Sequence, residues 1–146
     1  MKGVAFLNYY WPIFLIVGSN VWYHICTKSL PQSINPLASL GITYIIGSIL
    51  AFSLYFLTSP VKNLATEYGN LNWTPFVLGI AIVGLEFGCI CMYKVGWNIS
   101  IGSLVANIAL AIILVFIGIM FYKETLTSEK IIGIILCIGG LILLNK

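Results

Sequence analysis

The sequence predicts an all-α membrane protein of five transmembrane helices, and three observations carry that prediction. Apolar residues make up 60% of the chain and charged residues 8%, with a mean hydropathy of +1.06. Soluble domains carry about a quarter charged residues, so this chain has too few ionisable groups to cover a water-facing surface. The apolar residues gather into runs close to the ~20 residues that cross ~30 Å of hydrocarbon. The charges gather between those runs: the turn 123–130, Lys123-Glu124-Thr-Leu-Thr-Ser-Glu129-Lys130, holds four of the 11. A single domain over residues 1–146 is expected.

Taken in order, Lys2 ahead of an apolar run has the outline of a signal peptide. No A-x-A-type cleavage site follows, and the run continues through Asn20 and His24, so it reads as an uncleaved first span, 11–27. Tyr9, Tyr10 and Trp11 stand where an interfacial aromatic belt belongs. Lys28, followed by Pro31 and Pro36, ends the span. The second span, 36–58, has no charge and closes at Ser59-Pro60; the polar stretch 61–73 is the longest loop. The third span, 74–95, has Glu86 near its midpoint and Lys94 at its end. A tight connection, 96–101, leads to the fourth span, 102–122. After the charged turn comes the fifth, 131–144, with Asn145 and Lys146 as its anchor. The first and fifth spans are short and draw on their flanks.

The formal net charge of +3 comes from Lys and Glu alone. The lysines are scattered singly, so no nucleic-acid patch or polybasic lipid clamp is expected. Five spans put the termini on opposite sides of the membrane. Lys2, Lys62, Lys123 and Lys130 then share one side, and Lys28, Lys94 and Lys146 the other. That is almost no bias for the positive-inside rule to act on. Two topologies fit: a weakly encoded single orientation, or dual topology with antiparallel pairing of copies. The basic usage, all Lys, with abundant Ile and Asn suggests an AT-rich genome and a bacterial cytoplasmic (inner) membrane.

Glu86 is the first candidate for chemistry. A carboxylate near mid-bilayer is costly and should face a cavity or partner. It can bind either a proton or a cationic substrate, the competition an antiporter uses; alternatively it is a protonated packing group bonded to a neighbouring helix. At helical spacing its face includes Gly79, Ile82, Val83, Cys89, Ile90 and Tyr93, apolar apart from the tyrosine hydroxyl. Asn20, His24 and Thr27 form a polar stripe on the first span, with Ser19 and Tyr23 beside it and Trp22 flanking it. Each of these polar groups must find a partner within protein. His24 can relay protons or serve as interhelical glue. Asn107, and more weakly Thr43 with Tyr44, are further cavity candidates. Gly133, Cys137 and Gly140 form a small-residue stripe suited to close helix packing, in this chain or against another copy.

Cys26, Cys89, Cys91 and Cys137 all lie in apolar runs. With one His elsewhere, they indicate neither a metal site nor a disulfide framework, and no cofactor is expected. The chain has no P-loop and no Gly-x-Ser-x-Gly nucleophile motif, and its loops are too short for a catalytic domain. An enzyme is therefore not expected.

The stretch FYKETLTSEKIIGIILCIGGLILLNK, preceded by a third span ending in Tyr93-Lys94-Val-Gly96, resembles the closing signature of one EamA-like half of the drug/metabolite transporter superfamily. The order of spans is similar over essentially the whole chain, and the motif is specific from about Tyr93 onward. The resemblance implies a secondary transporter. Full-length members have two such halves of opposite topology, and the related small multidrug resistance proteins use an antiparallel homodimer instead. The fourth span here, through Leu104 and Asn107, lacks the Pro such halves often carry. The small multidrug resistance carboxylate sits in the first helix, whereas the only intramembrane acid here is Glu86 in the third. What transfers is therefore the idea of a proton-coupled carboxylate and not its position. Glu124 matches the family's turn, where it is expected to cap the last helix.

The expected function is transport of a small organic solute, amphipathic, cationic or metabolite-like, by alternating access in an antiparallel homodimer. Trp11, Trp22, Tyr23, Tyr44, Tyr93 and Trp97 suit a cation through cation–π contact, or act as interfacial anchors. The alternative is an accessory subunit that pairs with a second half-transporter or supports a lipid-linked sugar flippase.

Overall fold

The computed structural model describes residues 2–60, 62–125 and 127. In the last segment it describes 132, 133, 135–137, 139, 140 and 143, and it gives side chains from Tyr9 onward. Among the described residues the chain is helical without strands: α1 (Lys2–Lys28), α2 (Pro36–Thr58), α3 (Leu64–Gly69), α4 (Thr74–Lys94) and α5 (Ile99–Tyr122). Three of these, α2, α4 and α5, are long and apolar enough to cross a membrane. The protein is an integral membrane protein. The described residues of the predicted fifth span 131–144 are helical; the remainder of that span, and the charges of the turn at Glu129 and Lys130, lie outside the described residues.

Local sequence explains the helix ends. Asn35 caps α2, its Oδ1 accepting from the Leu37 N–H at 2.9 Å, with Pro36 supplying a preset first turn. At the other end the Ser59 N–H closes on the Tyr55 carbonyl at 2.8 Å, before Pro60. Inside α2 the hydroxyls of Thr43, Ser48, Ser53 and Thr58 donate to carbonyls three or four residues back. That satisfies polar groups where hydrocarbon offers no acceptor. Asn72 Oδ1 receives the Thr74 N–H as α4 begins. Gly96, at φ +103°, makes the turn out of α4.

Three boundaries differ from expectation. α1 begins at Lys2, ahead of the predicted Trp11, and continues through Pro12. The polar stretch 61–73 is not simply a loop. Asn63 accepts from the Thr66 N–H and starts the short helix α3, which closes at Asn70. The connection between α4 and α5 is shorter than 96–101, because the Asn98 carbonyl already takes the Gly102 N–H at 2.9 Å.

At the end of α5, Lys123 adopts the left-handed conformation (φ 53°, ψ 33°), and the N–H groups of Lys123 and Glu124 both reach the Gly118 carbonyl. The helix thus ends on a left-handed residue, with Lys in the place usually held by Gly. The Glu124 carboxyl folds back over Gly118, where an added Cβ would lie 3.1 Å from its Cδ. The structure thus places Glu124 against the preceding helix.

The chain divides into two compact units, Met1–Ile25 with Gly96–Lys146, and Cys26–Val95. In the second unit α2 packs on α4. Its core is Thr27, Leu40, Ile90 and Tyr93, where the end of α1, the start of α2 and the end of α4 meet.

Candidate functional site

The pairing of α2 with α4 fixes the depth of Glu86. The Lys94 ammonium donates to the backbone carbonyls of Gln32 (2.8 Å) and Ile34, so the end of α4 lies beside the start of α2 and the two helices run antiparallel. Leu40 and Ile90, both buried, sit at matching levels of that pairing. Tyr44 lies eight residues into α2 and Glu86 eight residues back from the end of α4. Both are therefore ~12 Å along their helices, and they meet across the interface. The Tyr44 hydroxyl is shut off from solvent and faces the Glu86 carboxyl. A carboxyl inside a span is costly as an anion, and a bound proton or cation relieves that cost.

Burial stops at this level. Every residue of α4 from Thr74 to Leu85 is exposed, and in α2 all of 45–58 except Tyr55. Glu86, half-buried, and Tyr44 thus mark the point where the α2–α4 packing ends. Toward the other end lie Cys89, half-buried, then Ile90 and Tyr93. Tyr93 is fully packed and carries the Lys28 ammonium 5.5 Å above its ring, a cation–π contact. The tyrosine is part of the core, two turns from Glu86.

The other predicted residues belong to the first unit. Asn20 donates from Nδ2 to the Ile16 carbonyl of its own helix at 3.0 Å. His24 stacks edge-on against Tyr23 at 5.2 Å. Trp22 is 69% exposed. Asn107 donates to the Ser103 carbonyl at 2.9 Å and lines an apolar groove of about 410 Å³ with Ile108, Ala111, Ile112, Val115, Gly133 and Cys137. Gly133 and Cys137 are exposed and Gly140 half-buried, and a Cβ at either glycine would meet nothing within 4 Å among the described residues. Among the described residues no cluster of His, Cys, Asp or Glu has the makings of a metal site.

Sequence reasoning ranked Tyr44 low and gave Lys28 and Lys94 only the role of span ends. Each lies in or borders a long apolar stretch, but which helices pair was not written in the local pattern.

Long apolar helices joined by short connections define a polytopic α-helical membrane protein. The sequence profile of the EamA-like transporter family matches residues 9–146, and the chain belongs to that family, whose members are membrane transporters of small solutes. No curated protein and no solved structure matches the chain.

Proposed function

We propose that this chain is one half of a secondary transporter, that two copies pair antiparallel, and that Glu86 is its proton or cation site. The observation that carries the reading is the Tyr44–Glu86 pair at the level where α2 and α4 part. An ionised group at the helix centre costs about 2.5–3.5 kcal/mol on insertion scales, and a purely structural helix would be more stable without it. Glu86 offers one negative charge that a proton or an organic cation can neutralise, but not both at once. Such exclusion couples the two fluxes. The solute is small and organic, amphipathic, cationic or metabolite-like. The exposed apolar surface of 45–58 and 74–85 gives a second copy room to complete the site. His24, Trp22, Asn20 and Asn107 are placed as secondary polar contacts of the pathway, and Gly133, Cys137 and Gly140 as packing positions.

The test is proton release from purified protein on addition of tetraphenylphosphonium, in wild type and in Glu86→Gln. Wild type should release protons on binding and Glu86→Gln should not; equal release from both removes Glu86 from the mechanism. Dual topology is read separately, from impermeant labelling of a single cysteine at Lys2→Cys or Lys146→Cys in intact cells. Both positions should label, each in about half the molecules, as two equally populated orientations require. Labelling of one terminus alone would exclude the antiparallel homodimer and turn attention to a partner subunit.

A further inference from the structure

The end of α4 is tied down in a way that binding at Glu86 does not require. Lys94 reaches two backbone carbonyls, Gln32 and Ile34, in the connection between α1 and α2. Lys28, the last residue of α1, lies over Tyr93. Just inside this pair of cations are the most buried large side chains among the described residues: Tyr93 at 2%, Ile90 at 3% and Leu40 at 5% exposure. Two helical turns further in are Tyr44 and Glu86, and beyond them the burial ends. The Cys26–Val95 unit is therefore plugged and strapped at one end and unpacked at the other.

We propose that Lys94 is the latch of a gate. Its two bonds hold the 29–35 connection over the Leu40–Ile90–Tyr93 plug, and releasing them opens a path between Glu86 and the water at that end. An ammonium on a flexible stem suits the task. It exchanges backbone carbonyls for water without leaving a buried charge, and the freed carbonyls are rehydrated at the same interface. The connection carries local turns, such as Ile34 N–H to Pro31 carbonyl at 3.2 Å, and the Lys94 bonds tie it to the end of α4. The assignment as a gate rests on the transport reading; the strap itself is open to measurement without any transport.

The experiment uses the full chain with its four cysteines replaced by alanine and a single reporter at Thr27→Cys. Thr27 is 8% exposed and lies under the strap. Its reaction rate with an impermeant maleimide is measured in liposomes. With Lys94 present labelling should be slow. Lys94→Met, of similar length but without donors, should accelerate it at least tenfold, since two charge-assisted hydrogen bonds are lost and each alone accounts for about a factor of ten. Lys94→Arg, which keeps the donors, should stay slow. A second reporter, Ile112→Cys, half-buried on α5, should not change. An unchanged Thr27→Cys rate in Lys94→Met would overturn the latch. So would an equal rise at both reporters, which means general loosening. If Glu86→Gln leaves proton release intact, the transport reading falls, and the labelling result still decides the latch.

Discussion

Ile90→Ala isolates what packing alone contributes to this fold. Ile90 is 3% exposed in the α2–α4 interface, and the substitution removes three methylene equivalents. In a soluble core the change costs about 2–5 kcal/mol, of which about 2.4 kcal/mol is transfer of those groups out of water, at about 0.8 each. In a bilayer the separated helices still hold Ile90 in hydrocarbon, so the transfer share falls away. What remains is lost contact around the cavity, about 1–2 kcal/mol. Unfolding of the purified protein in mixed micelles by increasing SDS fraction, followed by circular dichroism, measures that quantity. Ile80→Ala is the control, since Ile80 is on the same helix and 75% exposed; its effect should stay within about 0.5 kcal/mol. Equal loss from the two variants would refute the claim that α2 and α4 are held together only toward the Lys94 end. Loss of 4 kcal/mol or more at Ile90 would refute the removal of the transfer share.

Three other outcomes follow from named contacts. Lys123→Gly should stabilise the end of α5 by about 1 kcal/mol in the same SDS titration, because Lys123 is held at φ 53° without glycine's freedom; no gain would mean the left-handed ending is not populated. Gly118→Ala should fall short of the ~1 kcal/mol that alanine ordinarily gains over glycine in a helix, since its Cβ would meet the Glu124 carboxyl at 3.1 Å and that side chain must give way. Glu124→Ala in the same chain should restore the full gain, and strictly additive effects in the double-mutant cycle would deny the contact. Tyr44→Phe removes the hydroxyl facing Glu86 and should weaken tetraphenylphosphonium binding about tenfold, the scale of a hydrogen bond to a charged group. Tyr55→Phe on the same helix should leave binding unchanged, and equal effects at both positions would remove Tyr44 from the site.

The sequence made the helices legible because a membrane writes them in length and charge. The bounds 36–58 and the start at 74 coincide with α2 and α4, since Pro36, Ser59-Pro60 and Asn72 act within one turn of where they stand. α3 was missed because six residues, Leu64–Gly69, are too few to show a hydrophobic period; the cap at Asn63 is its local signal. Glu86 was visible as a lone acid in an apolar run, but its meeting with Tyr44 was not. That contact depends on α2 and α4 running antiparallel at one register, and the register is set by Lys94 and Gln32, 62 residues apart. Asn20 and Asn107 illustrate the reverse case. Each looked like a group in search of a partner, and each donates to its own helix backbone.

The hydroxyls of Thr43, Ser48, Ser53 and Thr58 donate to the backbone of α2 itself, and the helix carries no charge from Pro36 to Thr58. Those of Ser48, Ser53 and Thr58 are thus spent within the helix, and what this stretch offers a neighbour is mainly apolar side chains, whose dispersion contacts have no fixed direction. The two bonds of Lys94 lie toward the other end. Were the helix to pivot at Leu40, the 18 residues from there to Thr58 would make an arm of ~27 Å. A tilt of about 10° carries the far tip about 5 Å, roughly one helical pitch. A small adjustment of the packed side chains around Leu40 would thus be magnified into a shift of about one helical pitch at the far end of the helix.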